Sequence, residues 1–326
     1  MKNIYSNIYK ANLLNLRKAK KYIENNEVIG MPTETVYGLA GNAYSQKSIS
    51  KIFNLKKRPS VNPLIIHFNN MKDLKNEVKI NKNFIKLYKA FCPGPITFIL
   101  KKNPKSNISS KALAKKQTVA IRFPKHKIAR RLLKILNFPL AAPSANISSK
   151  LSPTSAYDVV DEFKKKIKFI FDGGNCKIGL ESTILDLTKK NPQILRPGSI
   201  TANQISKILK NKFNIKKKSK KIISPGQFKF HYYPGIPVEM NMKYPKKNQA
   251  LIGFGKKFVE AQNKFNLSKK GNLKEAANNL YKIMRKIKKQ KFKSIAITKI
   301  PNIDIGLAIN DRLKKASNKW IKYQSK

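Results

Sequence analysis

Apolar residues follow two periods along this chain, and the switches between them mark alternating helices and strands. Helical spacing predicts amphipathic helices over Ala11–Asn25 (Leu13, Leu14, Leu16, Ile23), Ser45–Leu55 (Ile49, Ile52, Phe53, Leu55), Lys82–Phe91, His126–Leu136, Asn203–Leu209, Asn272–Lys289 and Gly306–Ser317. Short apolar or alternating runs predict strands at Val28–Met31, Leu64–Ile66, Ile96–Leu100, Thr118–Pro124, Phe169–Phe171, Glu181–Leu187, Ala250–Gly253 and Ser294–Ile300. A further strand ends in the small residues Ala141-Ala142. Ser152-Pro153-Thr154 opens another helix through Tyr157, Val160 and Phe163, with Ser152 read as its N-cap and Pro153 as its first residue. The fold class is therefore α/β.

At 326 residues the chain has room for two domains, each able to bury a core. Lys and Arg number 70 against 16 Asp and Glu, a net charge of +54. A field of that size favours nucleic acid, anionic lipid or phosphorylated ligands. The lysines are spread through every segment, however, and outnumber the arginines heavily, which favours a composition bias over a dedicated nucleic-acid surface. Cys92 and Cys176 stand far apart and supply neither a disulfide framework nor zinc spacing. MKNIYSNIYK has no continuous apolar core, and no apolar run approaches the roughly 20 residues that span a bilayer. A soluble, cytoplasmic protein without membrane contact is expected.

The chemistry concentrates between Ile29 and Phe68. Pro32-Thr33-Glu34-Thr35 follows the first strand, Tyr37-Gly38 comes next, and after one helix stand Lys56-Lys57-Arg58-Pro59 and Asn62-Pro63. Polar side chains on a loop leaving a strand sit where open α/β sheets bind ligands. Lys56 and Arg58 lie on the returning loop, where a guanidinium and an ammonium can meet one anion. A solvated basic run is the alternative, although Pro59 and Asn62-Pro63 fix the backbone as such a run would not require.

Pro32-Thr33-Glu34-Thr35, Tyr37-Gly38-Leu39, Lys56-x-Arg58-Pro59 and Asn62-Pro63-Leu64 leading to His67 together resemble the signature of the YrdC-type threonylcarbamoyl-AMP synthases. The resemblance continues through Pro93-Gly94-Pro95-x-Thr97, Arg122 with Pro124, Pro143-Ser144-Ala145-Asn146, Asp172-Gly173-Gly174, Ser182-Thr183 with Asp186, and Arg196-Pro197-Gly198. Cys92 departs from it, since the family has an aromatic residue there. Beyond the basic run Lys216–Lys221, His231-Tyr232-Tyr233-Pro234 resembles the linker of the two-domain members, which passes over the active site as a lid.

The resemblance implies a YrdC-like twisted mixed sheet with flanking helices over residues 1–213, a linker and lid over 214–247, and a small Rossmann-like domain over 248–326. It implies that L-threonine, bicarbonate and ATP become threonylcarbamoyl-adenylate and pyrophosphate, for tRNA modification by downstream transferase machinery. Thr35, His67, Arg122, Ala142 and Ser182 would bind threonine. Lys56, Arg58, Asn62, Thr118, Ser144, Ser152, Arg196 and Tyr233 would bind ATP, with Lys56 and Arg58 the catalytic cations and Mg2+ arriving with the nucleotide. A buried structural role rivals the ligand role of His67, and Glu181, Asp172 and Asp186 read as structural. The residue inventory offers cations and hydroxyls rather than a Ser/His/Asp set, an activated cysteine or a protein metal cage. Two other readings remain: an RNA-binding factor using the same basic surface, and a carbamoyl transferase related to hydrogenase maturation proteins. Two cysteines cannot build the zinc module of the latter.

Overall fold

The structure, a computed structural model, describes residues 5–210, 228, 230–256 and 264–317. Ten strands form one mixed sheet: β1 (Ile8–Lys10), β2 (Ile29–Met31), β3 (Gly38–Asn42), β4 (Ile65–His67), β5 (Ile96–Lys101), β6 (Thr118–Arg122), β7 (Leu140–Ala141), β8 (Ile170–Asp172), β9 (Thr183–Asp186) and β10 (Gln193–Arg196). Their spatial order is β1-β8-β2-β3-β7-β4-β6-β5-β9-β10. Helices cover it in layers. α1 (Leu13–Glu24) and α4 (Lys127–Ile135) bury Leu16, Ala19, Ile23, Ala129 and Leu132 against Ile29, Met31, Phe169 and Phe171. A separate and larger core joins α2 (Gln46–Lys56), α3 (Lys82–Phe91), α5 (Ala156–Phe163) and α6 (Ala202–Leu209) through Ile52, Phe84, Val160 and Ile205 to the central strands.

A second sheet, entirely parallel, runs β11 (Val238–Met240), β14 (Ser294–Ile297), β12 (Gln249–Gly253), β13 (Lys264–Asn266). It packs with α7 (Leu273–Lys289) and α8 (Gly306–Ser317), which bury Leu280, Met284, Ile309 and Leu313. The mixed sheet and the small parallel one are the two architectures expected. Five strands escape the sequence pattern: β1 lies in a polar stretch, β3 (GLAGN) is built largely of small residues, β11 falls inside the segment read as linker, and β10 and β13 are runs of four and three residues.

Two local expectations change. Leu13 and Leu14 are 65% and 73% exposed, because α1 turns Leu16, Ala19 and Ile23 inward instead. Ser152 is not the N-cap of α5. Ser155 is, accepting from the Asp158 N–H while the Asp158 carboxylate accepts from Ser155, a reciprocal pair that starts the helix three residues later. The Lys216–Lys221 run lies outside the described residues. Among the described residues no helix is long and apolar enough to cross a membrane.

Candidate active site

The site grows from strand alternation. β4 runs parallel to β6 with His67 opposite Arg122, and β5 runs antiparallel to β6 with Thr97 opposite Arg122. Ile66, Ile121 and Phe98 therefore enter the core, and His67, Arg122 and Thr97 share the other face. The Arg122 guanidinium donates from Nη2 to Glu34 Oε1 at 2.7 Å, and the Lys125 N–H donates to Glu34 Oε2 at 3.0 Å. Arg122 Nε is buried without a partner and keeps a donor in reserve. Burial first, and Arg122 second, push the His67 pKa down to about 3, so its ring is neutral at physiological pH.

The loop after β2 supplies hydroxyls. Thr33 Oγ1 donates to the Val36 carbonyl at 2.6 Å and lies 2.8 Å from Thr35 Oγ1. Opposite it, the Ala142 methyl lies so close to Gly38 that a Cβ there would sit 3.2 Å from it, which is why the strand entry at Gly38 is bare.

Cations gather on the far side. Lys56 is the last residue of α2; Lys57 (φ 48°, ψ 46°) closes the helix in the left-handed region and turns the chain so that Arg58 faces back. The Lys56 ammonium is buried against the carbonyls of Ser144 and Asn146. Desolvation, then the neighbouring Arg58, hold its pKa well below the usual lysine value. Arg58 donates from Nε to the Asn62 carbonyl at 2.9 Å and from Nη2 to the Pro63 carbonyl at 2.8 Å. Removal from water, with Arg196 nearby, brings the Arg58 pKa to about 9, still cationic at neutral pH. Arg196 donates to the Ser182 carbonyl (3.0 Å) and hydroxyl (3.1 Å), and Ser182 Oγ lies 2.7 Å from Thr97 Oγ1. None of Lys56, Arg58 and Arg196 has a carboxylate within ion-pair distance among the described residues. Buried cations held only by dipoles and hydroxyls make an anion site.

These groups converge on one cavity of about 40 Å³, closed by His231 and Tyr232 from the segment between the two sheets. Ligand pockets span roughly 300–1,000 Å³, so in this conformation the cavity, walled in part by His231 and Tyr232, is smaller than a nucleotide needs.

Of the residues expected from the sequence, Arg58, His67, Arg122, Ala142, Ser144 and Arg196 line this cavity. Thr35, Lys56 and Ser182 stand directly behind it, bonded to Thr33, to the Ser144 carbonyl and to Arg196. Asn62 holds Arg58 by its carbonyl and has a buried, unpartnered Oδ1, and Ser152 donates to Glu181 Oε1 at 2.6 Å. Two residues stand apart. Thr118 begins β6, four residues and ~13 Å of strand from Arg122. Tyr233 lies outside, its N–H on the Ser149 carbonyl, in a surface groove with Lys150 and Arg285. Tyr232 points inward instead, because its backbone is left-handed (φ 64°) and turns the ring under the chain. The sequence pattern did not single out Thr33, Thr97, His231 or Tyr232 as site residues; all four stand inside recognised motifs, and only the strand register and this turn decide which member faces in.

Comparison with known families decides the relationship. The Sua5/YciO/YrdC family model, described as "Telomere recombination", matches residues 21–198. The chain belongs to this family. A second model, described as "Threonylcarbamoyl-AMP synthase, C-terminal domain", matches residues 200–318, so this is a two-domain member. Threonylcarbamoyl-AMP synthase of Pyrococcus abyssi is 35% identical over 324 residues, covering 93% of this chain and 94% of the relative. That of Bacillus subtilis is 35% identical over 322 residues, covering 93% and 92%. The crystal structure of P. abyssi Sua5 complexed with L-threonine superposes with a TM-score of 0.86 at 33% identity, covering 95% of this chain and 96% of that one.

Proposed function

We propose that this family member converts L-threonine, bicarbonate and ATP to threonylcarbamoyl-adenylate and pyrophosphate, supplying the group placed on adenosine beside the anticodon of tRNA. End-to-end similarity to threonylcarbamoyl-AMP synthases supports the reaction, and one observation of the site carries it: Arg58 and Arg196 share the cavity with His67 and Arg122, Lys56 stands behind it, and none of these three cations has a carboxylate within ion-pair distance among the described residues. The P. abyssi relative was crystallised with L-threonine. By the same fold, the reserve donor of Arg122 takes the threonine carboxylate here, with neutral His67, Thr35, the Ala142 backbone and Ser182 around the rest of the amino acid.

The threonine amine condenses with bicarbonate, losing water, to a carbamate. A carbamate oxygen then attacks the α-phosphorus of ATP, and pyrophosphate leaves. Arg58, Lys56 and Arg196 hold the phosphates and the charge that builds on them, without covalent catalysis. Glu181, the carboxylate in the cavity lining, and Glu34, bonded to the lining Arg122, are already engaged by Arg312 and Arg122, so the donor set suits a Mg2+ that arrives on the phosphates rather than in a protein cage. That ion would neutralise phosphate charge. His231 and Tyr232 must swing out for ATP to enter. Mass spectrometry of the product tests the reading: threonylcarbamoyl-adenylate should form only with threonine, bicarbonate and ATP together, and AMP without a threonine adduct would refute it.

A further inference from the structure

Glu181 is a difficulty for a nucleotide site. It lines the cavity next to Ser182, and it faces Arg196, one of the cations assigned above to phosphate. Left to itself, this carboxylate would repel a triphosphate and draw Arg196 away from it. The small domain removes the difficulty. Arg312, on α8 and fully buried, donates from Nε to Glu181 Oε2 at 3.0 Å. The same guanidinium donates from Nη1 to the Pro197 carbonyl at 2.7 Å, so one side chain ties down both segments that frame Arg196. Tyr281, on α7, donates to Glu181 at 3.2 Å, and Ser152 donates at 2.6 Å. Burial raises the Glu181 pKa, yet Arg312, Arg196 and the Ser152 hydroxyl outweigh it and hold the group at about 2. The carboxylate is thus fully ionised and fully spoken for.

We infer that Arg312 of the C-terminal domain is a positioning residue for the nucleotide site: it sequesters the Glu181 carboxylate so that Arg196 and Arg58 stay available to phosphate. This rests on the ATP-dependent reading above. It gives the second domain a chemical task, since Arg312 and Tyr281 reach Glu181 from across the domain junction. Tyr232, which closes the cavity, lies against the same pair, its ring 5.8 Å from that of Tyr281 and 5.4 Å from the Arg312 guanidinium. Arg312 itself is absent from the cavity lining, so it acts through its neighbours.

The test uses the full chain as wild type, Arg312→Ala, Glu181→Gln and the double variant. ATP affinity is read by calorimetry, and KM and kcat by threonine-dependent pyrophosphate release. Arg312→Ala should weaken ATP about ten-fold or more in Kd and KM with a smaller change in kcat, as an uncompensated like charge near phosphate does. Adding Glu181→Gln should restore ATP to within about three-fold, because the offending charge is gone. A double variant as poor as Arg312→Ala would overturn the inference and leave Arg312 a structural strut. Should Arg312→Ala fail to fold, the double variant alone decides: ATP binding within about three-fold of wild type supports the inference, since without the Glu181 charge Arg312 is no longer needed, and binding about ten-fold or more weaker contradicts it. A wild type that binds ATP but releases no threonine-dependent pyrophosphate would sink the proposed reaction while leaving the affinity comparison readable.

Discussion

Arg122 and Glu34 form an ion pair of 2.7 Å whose side chains are 5% and 9% exposed, at the proposed threonine site. Such a pair is costly to break one side at a time, because the survivor is a buried charge without a partner. Glu34→Ala should therefore lower stability by about 3–5 kcal/mol in urea unfolding. Replacing both residues by methionine should recover much of that stability and none of the threonine binding. Stability that stayed lost in the double variant would show that the pair acts through packing rather than charge.

His67 gives a pH dependence with a definite sign. Its pKa falls from 6.5 to about 3 on folding, for burial and then Arg122 disfavour the cation. The unfolded chain therefore binds more protons between those values. The contribution is complete above pH 6.5 and is lost as pH falls towards 3, at up to ~1.4 kcal/mol per pH unit. Denaturation at pH 7, 6 and 5 should show His67→Gln losing stability less steeply on acidification than wild type. Equal slopes would mean that another group carries the acid sensitivity.

Gly198 follows Arg196-Pro197, and a Cβ there would drive into the backbone N–H of Thr183 and come within 2.8 Å of the Ser182 carbonyl carbon. Neither atom belongs to a flexible side chain. Gly198→Ala should push the Arg196 segment off Ser182, costing about 1–3 kcal/mol of stability. ATP affinity should fall with it, by about ten-fold, since Arg196 loses both bonds that aim it. Calorimetry at a temperature where the variant is folded separates the two effects.

Much of this site is legible in the sequence because its chemistry is local. Lys56 and Arg58 are two residues apart at a helix end, and the Thr118–Arg122 alternation alone opposes Arg122 to Ile121, the arrangement found. What pattern cannot supply is register and long-range pairing. Nothing in the spacing brings Thr97 opposite Arg122, or Arg312 onto Glu181 from 131 residues away. The choice between Tyr232 and Tyr233 turns on one left-handed residue, which neighbouring aromatics do not announce. Likewise Ser152 reads as a helix cap because Ser-Pro usually is one, while Asp158 moves the start to Ser155.

In the proposed reaction Arg58, Lys56 and Arg196, which have no carboxylate within ion-pair distance among the described residues, stabilise the charge of adenylation. Pyrophosphate release from ATP with magnesium and bicarbonate, with and without L-threonine, tests it most directly, using wild type and Arg58→Ala. The account predicts release that depends on threonine and falls ~100-fold or more on removing the Arg58 charge. Release that is indifferent to threonine, or unchanged in Arg58→Ala, would contradict it.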